Sequence, residues 1–140
     1  MKKITAIITV DDCMGLAFNN RRQSRDKNLI DDVMRNINGT IYVSEYSVPL
    51  FESYKERIKV VKNPLAECEN GECCFLELTD VSVYINLVER LIVYRWNRHY
   101  PSDKKLTVDL NGSSFTLNSS YDFAGSSHEV ITKEIYKTEG

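Results

Sequence analysis

The stretch NNRRQSRDKN, Asn19 to Asn28, sets Arg21, Arg22 and Arg25 beside the carboxylate of Asp26. Guanidiniums at that density suit a ligand bearing carboxylate or phosphate, because their forked donors match those oxygens two at a time. The carboxylate adds an acceptor for a ligand's donor groups. A second polar run, YRWNRHYPSD, brings Arg95, Asn97, Arg98 and His99, and a third, GSSHEVITKE, brings His128. Two histidines across an arginine-lined cleft could serve as general base and general acid on a phosphodiester.

Each residue also has a plainer role available. Asp26 in a first helical turn is favourable through the helix dipole alone, by ~0.3–1 kcal/mol. Arg21, Arg22 and Arg25 could clamp their loop to Asp11, Asp12 or Asp103, and Trp96, alternating with Arg95 and Asn97, suits a core position. Arg98 and Tyr100 could shape the turn before Pro101. Ser126-Ser127-His128-Glu129 lacks the flanking glycines of a nucleophile elbow, which speaks against a serine hydrolase.

The elements that must position these groups follow from patterning. ITAIITV, Ile4–Val10, is nearly all apolar or β-branched, as in a central strand covered on both faces. Leu29, Ile30, Val33, Met34 and Ile37 recur with helical period, with Ser24 as N-cap and Asn38-Gly39 as the stop. Strands are expected over Thr40–Ser44, Arg57–Val61, Cys73–Leu78 and Arg90–Trp96, with helices over Val48–Tyr54 and Val81–Val88 and an exposed loop from Asn63 to Gly71. Beyond Pro101, KLTVDL, SSFTL and HEVITKEIYK read as short strands between Asn-Gly and Gly-Ser turns. Strands alternating with helices, then antiparallel candidates, predict an α/β fold with a mixed, mostly parallel sheet.

At 140 residues the chain is expected to form one domain, 1–140. A net charge of −2 provides no global attraction to nucleic acid or anionic lipid, so general nucleic-acid binding is not expected and any anion site must be local. The apolar run after Met1-Lys2-Lys3 is too short to span a membrane and lacks a signal-peptide cleavage site, which points to the cytoplasm. Cys13, Cys68, Cys73 and Cys74 fit that compartment as free thiols. They form no Cys-x-x-Cys zinc spacing, although Cys68 and Cys73 could coordinate metal or oxidise across Asn70-Gly71.

The opening ITAIITVDDCMGLAFNN resembles the dihydrofolate reductase superfamily, in which an apolar first strand runs through an aspartate and an apolar-Gly pair into a mobile active-site loop. The resemblance puts Asp26 at the place of that family's catalytic carboxylate and Ile30 at the residue that packs on the pterin. It extends to the ending, AGSSHEVITKEIYK, and covers the order of elements over most of the chain. It implies a three-layer fold in which the polar loops share one rim, gathering Arg21, Arg22, Arg25, Asp26, Arg95, Asn97, Arg98, His99 and His128 around one cleft.

Departures from the family bear on the cofactor. Glu45 falls near the phosphate-binding Arg, LELTDVS stands where a Gly-Gly turn would admit a pyrophosphate, and a strand–helix unit between Val61 and Cys73 is missing. FNNRRQSRD, YRWNRHYPSD and GSSHEVITKE are also similar to short bacterial proteins labelled ribonuclease Z. That label implies a His-rich zinc motif which a chain with only His99 and His128 cannot build. The expectation is therefore a reductase-like protein with a degenerate NADPH site and no cofactor, binding a small anionic ligand (nucleotide, pterin or phosphosugar) or a protein partner. An active NADPH-dependent dihydrofolate or pterin reductase and a His-dependent nuclease or phosphotransfer enzyme are the alternatives.

Overall fold

The computed structural model describes residues 2–112 and 114–138. Strand β1, Ile4–Val10, is buried at every position except Thr5. Its residues alternate between two cores: Ile4, Ala6, Ile8 and Val10 enter one, Ile7 the other. That two-sided burial is what its unbroken apolar run anticipates.

Three further strands, β4 (Ile41–Val43), β5 (Ile58–Val60) and β6 (Cys73–Phe75), together with β7 (Val88–Arg95), lie parallel to β1 in the order β5-β4-β6-β1-β7. The sheet continues antiparallel through β10 (Ile131–Thr138) to the edge strand β9 (Phe115–Phe123). Helix α1, Lys27–Arg35, packs Leu29, Ile30, Val33 and Met34 on the face that carries Ile7, Ile92 and Tyr94. Each such side chain contributes roughly 1.5–3 kcal/mol on burial. The opposite face is covered by Leu65 of α2 (Pro64–Glu67) and by Leu16, Val81, Leu106 and Leu110, giving three layers.

Several local expectations are corrected. Asp26, not Ser24, caps α1, accepting from the Asn28 and Leu29 N–H groups at 2.9 and 3.2 Å, and the helix ends at Arg35 with Asn36 as its C-cap, short of Asn38-Gly39. The segment expected to be helical over Val48–Tyr54 is a 3₁₀ run, Glu45–Arg57, because Pro49 lacks the N–H an α-helix needs. The helix expected at Val81–Val88 is likewise 3₁₀, Val81–Leu87, capped by Asp80. The loop at Asn63 to Gly71 contains α2 and buries Leu65 and Cys68.

A second sheet had no counterpart in the sequence reading. Strand β2 (Gly15–Phe18) pairs with β3 (Arg21–Arg22) and with β8 (Lys104–Lys105) in the order β3-β2-β8. Asn19 and Asn20 make the hairpin turn at φ 52° and 59°, the left-handed pair that suits the twist of two strands. Of KLTVDL only Lys105 is strand, while of SSFTL Phe115–Leu117 belong to the much longer β9 and Ser113 lies outside the described residues.

Candidate functional site

The loop before β10 folds over the start of α1. Asp26 Oδ1 accepts from the Ser126 N–H at 2.9 Å and Oγ at 3.0 Å in addition to its two capping N–H groups. Oδ2 accepts from the Ser127 N–H at 2.9 Å, and lies 3.2 Å from Ser127 Oγ and 2.9 Å from His128 Nδ1. Burial pushes the Asp26 carboxyl upward, but the donors from Ser126, Ser127 and His128 outweigh it and hold it well below the usual carboxylate range. Gly125 makes room for this arrangement, since a Cβ there would stand 2.5 Å from Asp26 Oδ2.

His128 is occupied at both ring nitrogens. A carboxylate only accepts, so Nδ1 carries the proton toward Asp26. Ser24 Oγ and Tyr100 Oη each lie 3.0 Å from Nε2. Trp96 stacks on the imidazole at 4.7 Å between ring centres, and the side chain is 2% exposed.

Arg22 builds a second cluster. Its Nε and Nη2 donate to the two Glu77 oxygens at 2.7 and 3.0 Å, Nη2 also donates to the Tyr46 carbonyl, and the guanidinium sits 4.3 Å from the Tyr46 ring centre. Ser47 Oγ donates to the same carboxylate at 2.7 Å. The hydrogen bonds that Arg22 donates to Glu77 raise its pKa against the opposing effect of burial. Arg22 is thus a clamp, and the acid it grips is Glu77 rather than Asp11, Asp12 or Asp103.

The remaining expected site residues do not all converge. Arg95 points to the sheet face away from Asp26, donating to Glu134 at 2.6 Å and lying 3.5 Å from Met14 Sδ. Asn97, at φ 60°, donates from its amide to the Val130 carbonyl and to Thr132 Oγ1, tying down the turn into β10. The Arg98 carbonyl accepts from the Asp12 N–H at 2.9 Å and its side chain is exposed. His99 is exposed with Nδ1 3.4 Å from Cys13 Sγ, so the two histidines have unlike surroundings and do not face one another across an arginine-lined cleft.

Arg25 and Ile30 do share a groove. It has a volume of about 370 Å³ and runs between the start of α1 and the Pro49–Ser53 segment, with Lys27, Ser126 and Ser127 on its polar side and Glu52 on its outer wall. Arg21 lies apart, in a depression of about 530 Å³ with Phe18, Gln23 and Tyr100. A third depression, of about 430 Å³, lies at the C-terminal ends of β4 and β6 between Tyr46, Lys62, Thr79 and Tyr84. Among the described residues no group of three or more His, Cys, Asp or Glu side chains could hold a metal ion, and no helix is long and apolar enough to cross a membrane.

Sequence reasoning passed over Ser24 as a site residue, along with Ser126, Ser127, Tyr100 and Glu77. Gly125 ahead of two serines was the available signal for a loop whose donors turn inward onto a carboxylate.

No family model matches the chain, and no curated protein matches it. Among solved structures it is similar to the dihydrofolate reductase of Enterococcus faecalis complexed with NADP(H) and RAB-propyl. The TM-score is 0.66 at 11% identity, over 99% of this chain and 97% of that one. The fold is therefore dihydrofolate reductase-like, a mixed and mostly parallel sheet with antiparallel C-terminal strands, as the resemblance implied.

Proposed function

We propose that this chain, as one domain spanning 1–140, is a reductase-fold protein that binds a small anionic ligand of the nucleotide, pterin or phosphosugar class and does not use NADPH. One observation carries the reading. Asp26, the acid at the groove floor, is saturated by donors from its own chain, while Arg25 and Lys27 on the groove walls are exposed. Arg25 has no side-chain partner among the described residues, and Lys27 reaches only the half-buried Asp31 at 3.2 Å. Arg25 is the groove cation with no side-chain partner, so the end of the groove away from Glu52 favours a ligand with carboxylate or phosphate oxygens. Ile30, Pro49 and Leu50 supply the apolar wall such a ligand needs.

The cofactor half of the fold supports the same reading. One lysine, Lys62, lines the depression at the ends of β4 and β6. Glu45 occupies the first turn of the 3₁₀ run after β4, and the Asp80 carboxylate caps the one after β6. Acids at both N-termini oppose a dinucleotide's phosphates. These residues do not fit a nicotinamide dinucleotide phosphate. The proposed setting is the cytoplasm, where the four cysteines, all free, would remain reduced. Unfolding of the protein with inorganic phosphate, nucleotides, folates and NADPH tests the reading: the small anions should stabilise it and NADPH should not.

A further inference from the structure

The Ser24–His128–Asp26 relay has no part in ligand binding as described above. Asp26 Oδ2 to His128 Nδ1 is 2.9 Å and His128 Nε2 to Ser24 Oγ is 3.0 Å, the connectivity by which a carboxylate orients an imidazole that deprotonates a serine. We propose that Ser24 is an acylatable nucleophile which cleaves a small carboxylic ester carrying an anionic group, the anion being held by Arg25 and Lys27. The anionic part of this inference rests on the proposed groove; the nucleophile does not.

Three features support a relay over a helix cap. Asp26 has taken the capping role, so the Ser24 hydroxyl serves no helix N–H; it is held by His128 and Tyr100 instead. The imidazole cannot turn, because Asp26 is fixed by Ser126 and Ser127 and Trp96 lies flat against the ring. The Arg25 N–H, next after the nucleophile, has no hydrogen-bond partner among the described residues, and the Arg25 carbonyl is pinned by Ser127 Oγ at 2.7 Å. That N–H is the available donor for an oxyanion.

Ser24 borders a recess of about 10 Å³ beside Leu50, Phe75 and Trp96, and this recess shares Arg25, Asp26, Ile30 and Leu50 with the groove. It has room for about one water, so the ester must lie in the groove, with only its carbonyl reaching Ser24. In the first half-reaction Ser24 Oγ bonds to the acyl carbon, His128 Nε2 takes the hydroxyl proton, and the carbon–oxygen bond to the leaving alcohol breaks as that proton passes to it. In the second, water attacks the acyl-serine, giving its proton to Nε2, and the Ser24 oxygen leaves and recovers it. Asp26 stays ionised throughout.

The test is labelling of the full chain with a fluorophosphonate, from which serine displaces fluoride, followed by peptide mass mapping. Phosphonylation is expected at Ser24, absent in Ser24→Ala, at least tenfold slower in His128→Gln, and faster in Tyr100→Phe, where Ser24 no longer shares Nε2. An unlabelled Ser24, under conditions that label an authentic serine esterase, overturns the proposal. So does a labelling rate in His128→Gln equal to that of the wild type. Phosphate-induced stabilisation of Ser24→Ala reads the groove separately, so the two claims can fail independently.

Discussion

Asp26 and His128 are 102 positions apart in the chain and 2.9 Å apart in the fold. That contact locks the start of α1 to the loop entering β10, and the surrounding serines leave the carboxylate no free lone pair for solvent. Asp26→Asn should lower unfolding free energy at pH 7 by about 2–4 kcal/mol, since the amide presents a donor to donors in a buried site. The folded carboxyl is shifted down from its ordinary value of 3.8. Its contribution is therefore full above that pH and is lost as pH falls through the lower folded value. Urea unfolding of both proteins should show their difference shrinking only below about pH 4.

Gly125→Ala tests the same lock from the other side. A Cβ would meet Asp26 Oδ2 at 2.5 Å and the His128 carbonyl at 2.6 Å, and neither can retreat without breaking hydrogen bonds. The expected cost is about 1–3 kcal/mol, read as a lower urea midpoint with unchanged slope.

Arg22 and Glu77 should couple strongly. Glu77 is 5% exposed at its side chain, so Arg22→Ala strands a buried charge and should cost about 2–4 kcal/mol. Arg22→Met with Glu77→Leu should recover most of that loss. A double-mutant cycle by denaturant unfolding measures the coupling.

How much of this was legible follows from which signals are local. β1 and α1 were readable because burial imposes period on consecutive residues. The β2–β3 hairpin was not, because its turn takes left-handed conformations on Asn19 and Asn20 instead of glycine. The second half of β9 was hidden by its place at the sheet edge, where Ser119 and Ser120 stay exposed while their backbones pair with β10. In the site, Asp26 and the 125–128 loop were each conspicuous, but nothing local encodes a contact across that separation. The misplacement of Arg95 was avoidable: it alternates with Trp96, so with Trp96 on the His128 side Arg95 must face the other way.

Charge on the groove walls should matter for ligand and little for folding. Arg25→Ala and Lys27→Ala are exposed changes expected to alter stability by less than about 0.5 kcal/mol. Each should weaken phosphate binding measured by calorimetry, with a steeper loss in the double variant and a reduced dependence on salt.

The most direct measurement is thermal unfolding of the wild type and of the Arg25→Ala/Lys27→Ala variant, each with NADPH and, separately, with inorganic phosphate, a nucleoside monophosphate and folate. A ligand at a hundredfold excess over its dissociation constant adds about 2.7 kcal/mol of apparent stability. The account predicts that at least one small anion raises the wild-type midpoint, that the double variant loses this shift, and that NADPH shifts neither. A saturable NADPH shift that persists in the double variant, with none from the small anions, would contradict it and return the cleft to a reductase.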